Sequence, residues 1–135
     1  MKEEYLIVDD EPDLCWALEH LLTSKGRSCQ KVHTAQGALD LMKTHRFQLA
    51  FLDLTLPDMS GLELARRLRL LDPLLRFVIV SGYLSKEAAA AQDQEQGLIW
   101  AAFNKPFLHE EILRLIEQTE AGRSGGLAPP VGNAG

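Results

Sequence analysis

The sequence is short of the features that staple, anchor or spread a chain. Two cysteines stand among 135 residues, Cys15 and Cys29. They have neither a CxxC spacing nor a secreted context, so both read as small structural hydrophobes. No run approaches the roughly 18 to 20 apolar residues of a membrane span. The opening Met-Lys-Glu-Glu-Tyr lacks the basic region and apolar stretch of a secretory signal, so a cytoplasmic location with no membrane contact is expected. Positive charge is scarce as well, since 14 Lys and Arg face 19 Asp and Glu, a net charge of −5. Such a chain has no general attraction for nucleic acid, and no direct nucleic-acid contact is expected of it. The histidines His20, His33, His45 and His109 fall on different elements without a common metal spacing, and read as solvated or helix-end side chains.

What is present suits a soluble domain. A hydrophobic share of 46% with 24% charged residues is ordinary for a globular protein, and a chain of this length buries about two-thirds of its unfolded surface in one core. Apolar runs of strand length alternate with amphipathic helical patterns, the mark of a parallel α/β sheet. The strand candidates are Tyr5 to Asp9, a weaker Ser28 to His33, Leu49 to Asp53, Phe77 to Ser81 and Ile99 to Phe103. Between them, Leu14, Ala17, Leu18, Leu21 and Leu22 hold helical spacing, with Pro12 near the first turn and Gly26 past the end. Thr34 caps a second pattern (Ala35, Ala38, Leu39, Met42), and Ser60 with Glu63 makes a capping box before Leu64, Leu68 and Leu71. Ser85 can cap an Ala-rich fourth helix to Glu95, and Ile112, Leu115 and Ile116 mark the last. Arg66, Arg67 and Arg69 read as a solvated helix face. From Glu120 the sequence turns to Gly, Pro and Ala, so residues 1–120 are expected to form the domain and 121–135 a flexible tail or linker start.

In an open doubly wound sheet, ligands bind beyond the carboxyl ends of the strands. The residues there are Asp9 and Asp10 after the first strand, Asp53 after the third, Ser81 at the fourth and Lys105 after the last. Carboxylates about 4 Å apart repel by roughly 4 kcal/mol per pair at an effective dielectric near 20, so they call for a cation or raised pKa values. A hard divalent ion, Mg2+ or Mn2+, suits such an oxygen-only set. Lys105 and the Ser81 hydroxyl would then bind phosphoryl oxygens, and an aspartate in this setting is a possible covalent nucleophile.

The stretches LIVDDEPD, LAFLDLTLPDMSGLEL, VIVSGY and FNKPF resemble the four signatures of response-regulator receiver domains, in order, over nearly the whole chain to about Glu120. The resemblance implies a flavodoxin-like (βα)5 fold with strand order 2-1-3-4-5. It implies that Asp53 is the phosphoacceptor, served by a histidine kinase or phosphotransfer protein, and that Asp9, Asp10, Asp53 and the backbone carbonyl of Thr55 hold the metal. It further implies that Ser81 is the switch hydroxyl, that Lys105 senses the phosphate, that the Lys105–Pro106 bond is cis, and that output passes through the face of the fourth helix and last strand, to an output domain or a second copy. One position departs from the pattern. Receivers commonly carry Tyr or Phe three residues before the lysine, where this chain has Ala102. Trp100 and Phe103 flank it and are expected to face the other side, leaving Tyr83 as the nearest substitute.

Three other functions are weaker. A flavin carrier of this fold class needs a phosphate loop after the first strand, where Asp9, Asp10 and Glu11 would repel the phosphate. A phosphatase of the haloacid-dehalogenase type wants a second Asp where Thr55 stands. A pseudo-receiver that binds partners without phosphorylation has Ala102 as its one support.

Overall fold

The computed structural model describes residues 5–82, 98–105 and 109–125, with side chains through Gln118. Its elements alternate as β1 (Tyr5–Val8), α1 (Pro12–Ser24), β2 (Cys29–Val32), α2 (Ala35–Leu41), β3 (Leu49–Leu52), α3 (Gly61–Leu71), β4 (Arg76–Ser81), β5 (Ala101–Asn104) and a C-terminal helix (His109–Gly125). Tyr83, the Ala-rich stretch 85–95, Pro106 and residues 126–135 lie outside the described residues, while the backbone stays helical past Glu120 to Gly125.

The strands form one parallel sheet in the order β2-β1-β3-β4-β5, as expected. Its apolar runs are continuous because both faces are covered. Alternation sorts them: Leu6, Val8, Ala50, Leu52, Phe77 and Ile79 pack with α2 and α3, whereas Tyr5, Ile7, Leu49, Phe51, Val78 and Val80 pack with α1 and the C-terminal helix. Each large side chain buried this way contributes about 1.5–3 kcal/mol. The chain leaves β1 toward β2 on one side and returns to β3 on the other, so the loops after β1 and β3 diverge and leave a cleft between them.

Local signals in the sequence explain the helix ends. Pro12 opens α1, and Gly26 closes it with a φ of 74°, a left-handed conformation that glycine adopts without steric cost. The Thr34 hydroxyl accepts from Gly37 N–H at 3.0 Å and the Ser60 hydroxyl from Glu63 N–H at 3.1 Å. Arg66 and Arg67 pair with Glu63 on the exposed side of α3. Two expectations need correction. Leu71, assigned to the apolar stripe of α3, is 54% exposed, at the last helical residue before the extended backbone of Asp72. The last strand starts at Ala101 rather than Ile99, because its register pairs Val78 with Ala101 and Ser81 with Asn104. Leu98, Ile99 and Trp100 are apolar because they are buried in the approach to the strand.

Candidate functional site: an acidic cleft at the strand ends

Asp9 and Asp53 are the first residues beyond β1 and β3, and backbone bonds that continue the sheet fix their roots. Asp53 N–H donates to Val8 O at 3.0 Å, and Asp9 N–H to Val32 O at 3.2 Å. Both side chains are buried, whereas Asp10 is exposed at the rim. Carboxylate oxygens of Asp9, Asp10 and Asp53 all lie within 4.8 Å of one another, so the three residues named from sequence converge.

Lys105 enters from β5. Its Nζ lies 3.1 Å from Asp9 Oδ2 and 3.7 Å from Asp53 Oδ2, and it bonds Glu11 Oε1. Burial raises the pKa of Asp9, with the Asp53 charge adding to it against the Glu11 N–H and Lys105. Burial likewise raises that of Asp53 despite the attraction of Lys105. Burial opposes the charge on Lys105, yet its bonds to Glu11 and Asp9 prevail and hold its pKa above the ordinary lysine value. Asp9, Glu11 and Asp53 thus share one ammonium, and the hard-oxygen set of Asp9, Asp10 and Asp53, left with excess negative charge, fits a magnesium or manganese ion.

Ser81 is buried at the end of β4, and its backbone carbonyl accepts from Lys105 N–H at 2.7 Å. Thr55 N–H points at Asp53 Oδ1 from 3.4 Å, and Thr55 bridges to Ser60 across the loop. Ala102 packs on the α2 and α3 side of β5 while Trp100 and Phe103 lie on the other, as expected. For Phe103 this is strand alternation; Trp100 precedes the strand.

Four contributors were missed from sequence. Glu11 contacts Lys105, and its N–H donates to Asp9 Oδ1 at 2.8 Å. His33 is no bystander: its Nδ1 lies 3.0 Å from the carbonyl of Asp9, which also accepts from Cys15 Sγ at 3.2 Å. A carbonyl can only accept, so Nδ1 carries the proton there. Cys15 remains a structural thiol, since burial and the Asp9 charge push its pKa up to about 11. Gly61 lies against the Asp53 carbonyl so closely that a Cβ would sit 2.1 Å from that oxygen; the glycine in PDMSGLEL was the available signal. Asp58 accepts from Ala35 and Gln36 N–H, each at 2.9 Å, tying the β3–α3 loop to the start of α2. Nothing in the spacing of Asp58 and Ala35 announced that contact.

Residues 5–117 match a family model described as response regulator receiver domain. The chain is similar to sporulation initiation phosphotransferase F of Bacillus subtilis (strain 168), at 30% identity over 118 residues that cover 87% of this chain and 94% of that protein. It is also similar to the DNA-binding transcriptional regulator NtrC of Klebsiella pneumoniae, at 29% identity over 112 residues. That match covers 83% of this chain but 24% of the regulator, so the chain spans about a quarter of that relative. Among solved structures, a CheY-like response regulator receiver domain protein from Methanospirillum hungatei JF-1 aligns with a TM-score of 0.82 at 28% identity, covering 91% of this chain and 98% of that one.

Proposed function

The chain belongs to the response regulator receiver domain family, and on that premise we propose that Asp53 accepts a phosphoryl group from a histidine kinase or phosphotransfer protein. The observation that carries this reading is the convergence of Asp9, Asp10 and Asp53 within 4.8 Å, with the Lys105 ammonium 3.7 Å from Asp53. A carboxylate oxygen of Asp53 attacks the phosphorus of a phosphohistidine. The P–N bond breaks, and the imidazole keeps the electron pair and takes a proton from solvent. Lys105 moves its charge onto the phosphoryl oxygens, and the Ser81 hydroxyl donates to the same group. Magnesium or manganese, held by Asp9, Asp10, Asp53 and the Thr55 carbonyl, would neutralise charge between the attacking carboxylate and the phosphoryl oxygens. The chain thereby catalyses only its own phosphorylation and hydrolysis.

Phosphorylation then biases an output surface by shifting a two-state population. On the pattern of similar proteins this surface includes β5, and serves an output domain or a second copy. NtrC of Klebsiella pneumoniae is about three and a half times as long as this chain, consistent with an output carried elsewhere. With Ala102 at a buried position of β5, no aromatic side chain at that position is available to couple the site to that surface.

Intact-mass measurement after incubation with acetyl phosphate and magnesium tests the assignment. Wild type should gain one phosphoryl group and Asp53→Asn none; equal labelling of the two would overturn it.

A further inference from the structure

Glu11 occupies the N-cap position of α1, where a side chain ordinarily accepts from the first free N–H groups of the helix, but it makes no such bond. Its carboxylate instead holds Lys105, 94 residues away. Glu11 follows β1 and Lys105 follows β5, with β3 and β4 between them. Neighbouring strands are about 4.8 Å apart, so these two are separated by roughly 14 Å, a gap that two long side chains close together. Asp53 stands at the end of β3, inside that span.

The Lys105 ammonium has three protons and three carboxylate partners, Glu11, Asp9 and Asp53. Asp53 Oδ2, at 3.7 Å, lies beyond hydrogen-bond reach of the ammonium, so oxygens of a phosphoryl group on Asp53 would compete with Glu11 and Asp9 for it. Without an ion, Asp9 is the costly one to release, because its side chain is 3% exposed and would be left buried and charged. Glu11 is 61% exposed, and water resolvates it at little cost. We propose that Glu11 is a positioning residue that holds Lys105 in the unphosphorylated protein and is the partner Lys105 gives up when the phosphoryl group arrives. This inference rests on Asp53 being the phosphoacceptor.

The experiment measures beryllofluoride affinity by fluorine NMR in the full chain at saturating magnesium, for wild type, Glu11→Gln, Glu11→Asp and Lys105→Met. Losing an exposed ionic competitor should tighten binding about two- to fivefold in Glu11→Gln. Glu11→Asp keeps the charge but loses a methylene of reach, and should shift the same way. The gain should vanish when Glu11→Gln is combined with Lys105→Met. In the metal-free protein, the nitrogen-15 resonance of the Lys105 ammonium should move in both Glu11 variants. Unchanged or weaker binding in Glu11→Gln, wild-type behaviour of Glu11→Asp, a gain that persists without Lys105, or an unmoved resonance would each overturn the proposal. Failure of the wild type to take up beryllofluoride would instead remove the phosphoacceptor role, and this inference with it. Wild-type uptake that Glu11→Gln leaves unchanged removes Glu11 alone.

Discussion

Lys105 N–H donates to the backbone carbonyl of Ser81 at 2.7 Å, one residue beyond the β4–β5 register that ends at Ser81 and Asn104. The lysine is therefore rooted by the sheet itself, and only its side chain is free to choose among Glu11, Asp9 and Asp53. A rigid root with a long flexible stem suits a charge that must change partners without moving the fold.

Stability should depend on pH through Asp53. Its carboxyl has a pKa raised above the ordinary 3.8, chiefly by burial, so the folded state binds more protons than the unfolded one. That contribution is full below 3.8 and is lost as pH rises through the folded value. Asp53→Asn keeps the shape without the charge, and in chelator at neutral pH it should be more stable than wild type by about 1 kcal/mol. Urea unfolding across pH checks this, and the difference should close in acid. A variant less stable at neutral pH would contradict the account.

Gly61→Ala should be severe. The added Cβ would meet the Asp53 carbonyl oxygen at 2.1 Å and its carbon at 2.9 Å, and backbone cannot swing aside as a side chain does. The expected cost is about 3 kcal/mol or more. Gly82→Ala is the control, since nothing lies within 4 Å of a Cβ there, and it should stay within about 0.5 kcal/mol of wild type. Equal denaturation midpoints for both variants would refute the steric argument.

Asp58→Ala should loosen the start of α2. The carboxylate accepts from Ala35 and Gln36 N–H, and those bonds hold its pKa below 3.8. A depressed acid stabilises the fold above its unfolded value, and that stability goes as pH falls through the lower folded value. Amide exchange at Ala35 and Gln36 should accelerate in the variant at neutral pH, with Asp58→Asn, which retains one acceptor oxygen, between it and wild type. Unchanged exchange at both amides would show that the contact does not hold the helix.

Much of the site was legible because it is written at strand ends. Apolar runs close by Asp9, Asp53 and Ser81 place those side chains on one edge once the sheet is parallel, and Lys105 follows from the last run. Glu11 and His33 were not legible as partners. Both lie next to residues of the site or at the end of β2, yet their roles depend on where Lys105 and the Asp9 carbonyl point. Leu71 misled because helical spacing predicts a face, not whether the body of the protein still lies under it.

By itself, the sequence determined the alternation of strands and helices, the caps at Thr34 and Ser60 and the acidic edge, since these follow from side-chain period and short-range hydrogen bonding. Only the tertiary structure decided which acid holds Lys105, that Asp58 reaches across to α2, and that Gly61 must lack a side chain. Those contacts join residues distant in the chain or surfaces pressed together by packing, and no local pattern encodes the distance between them.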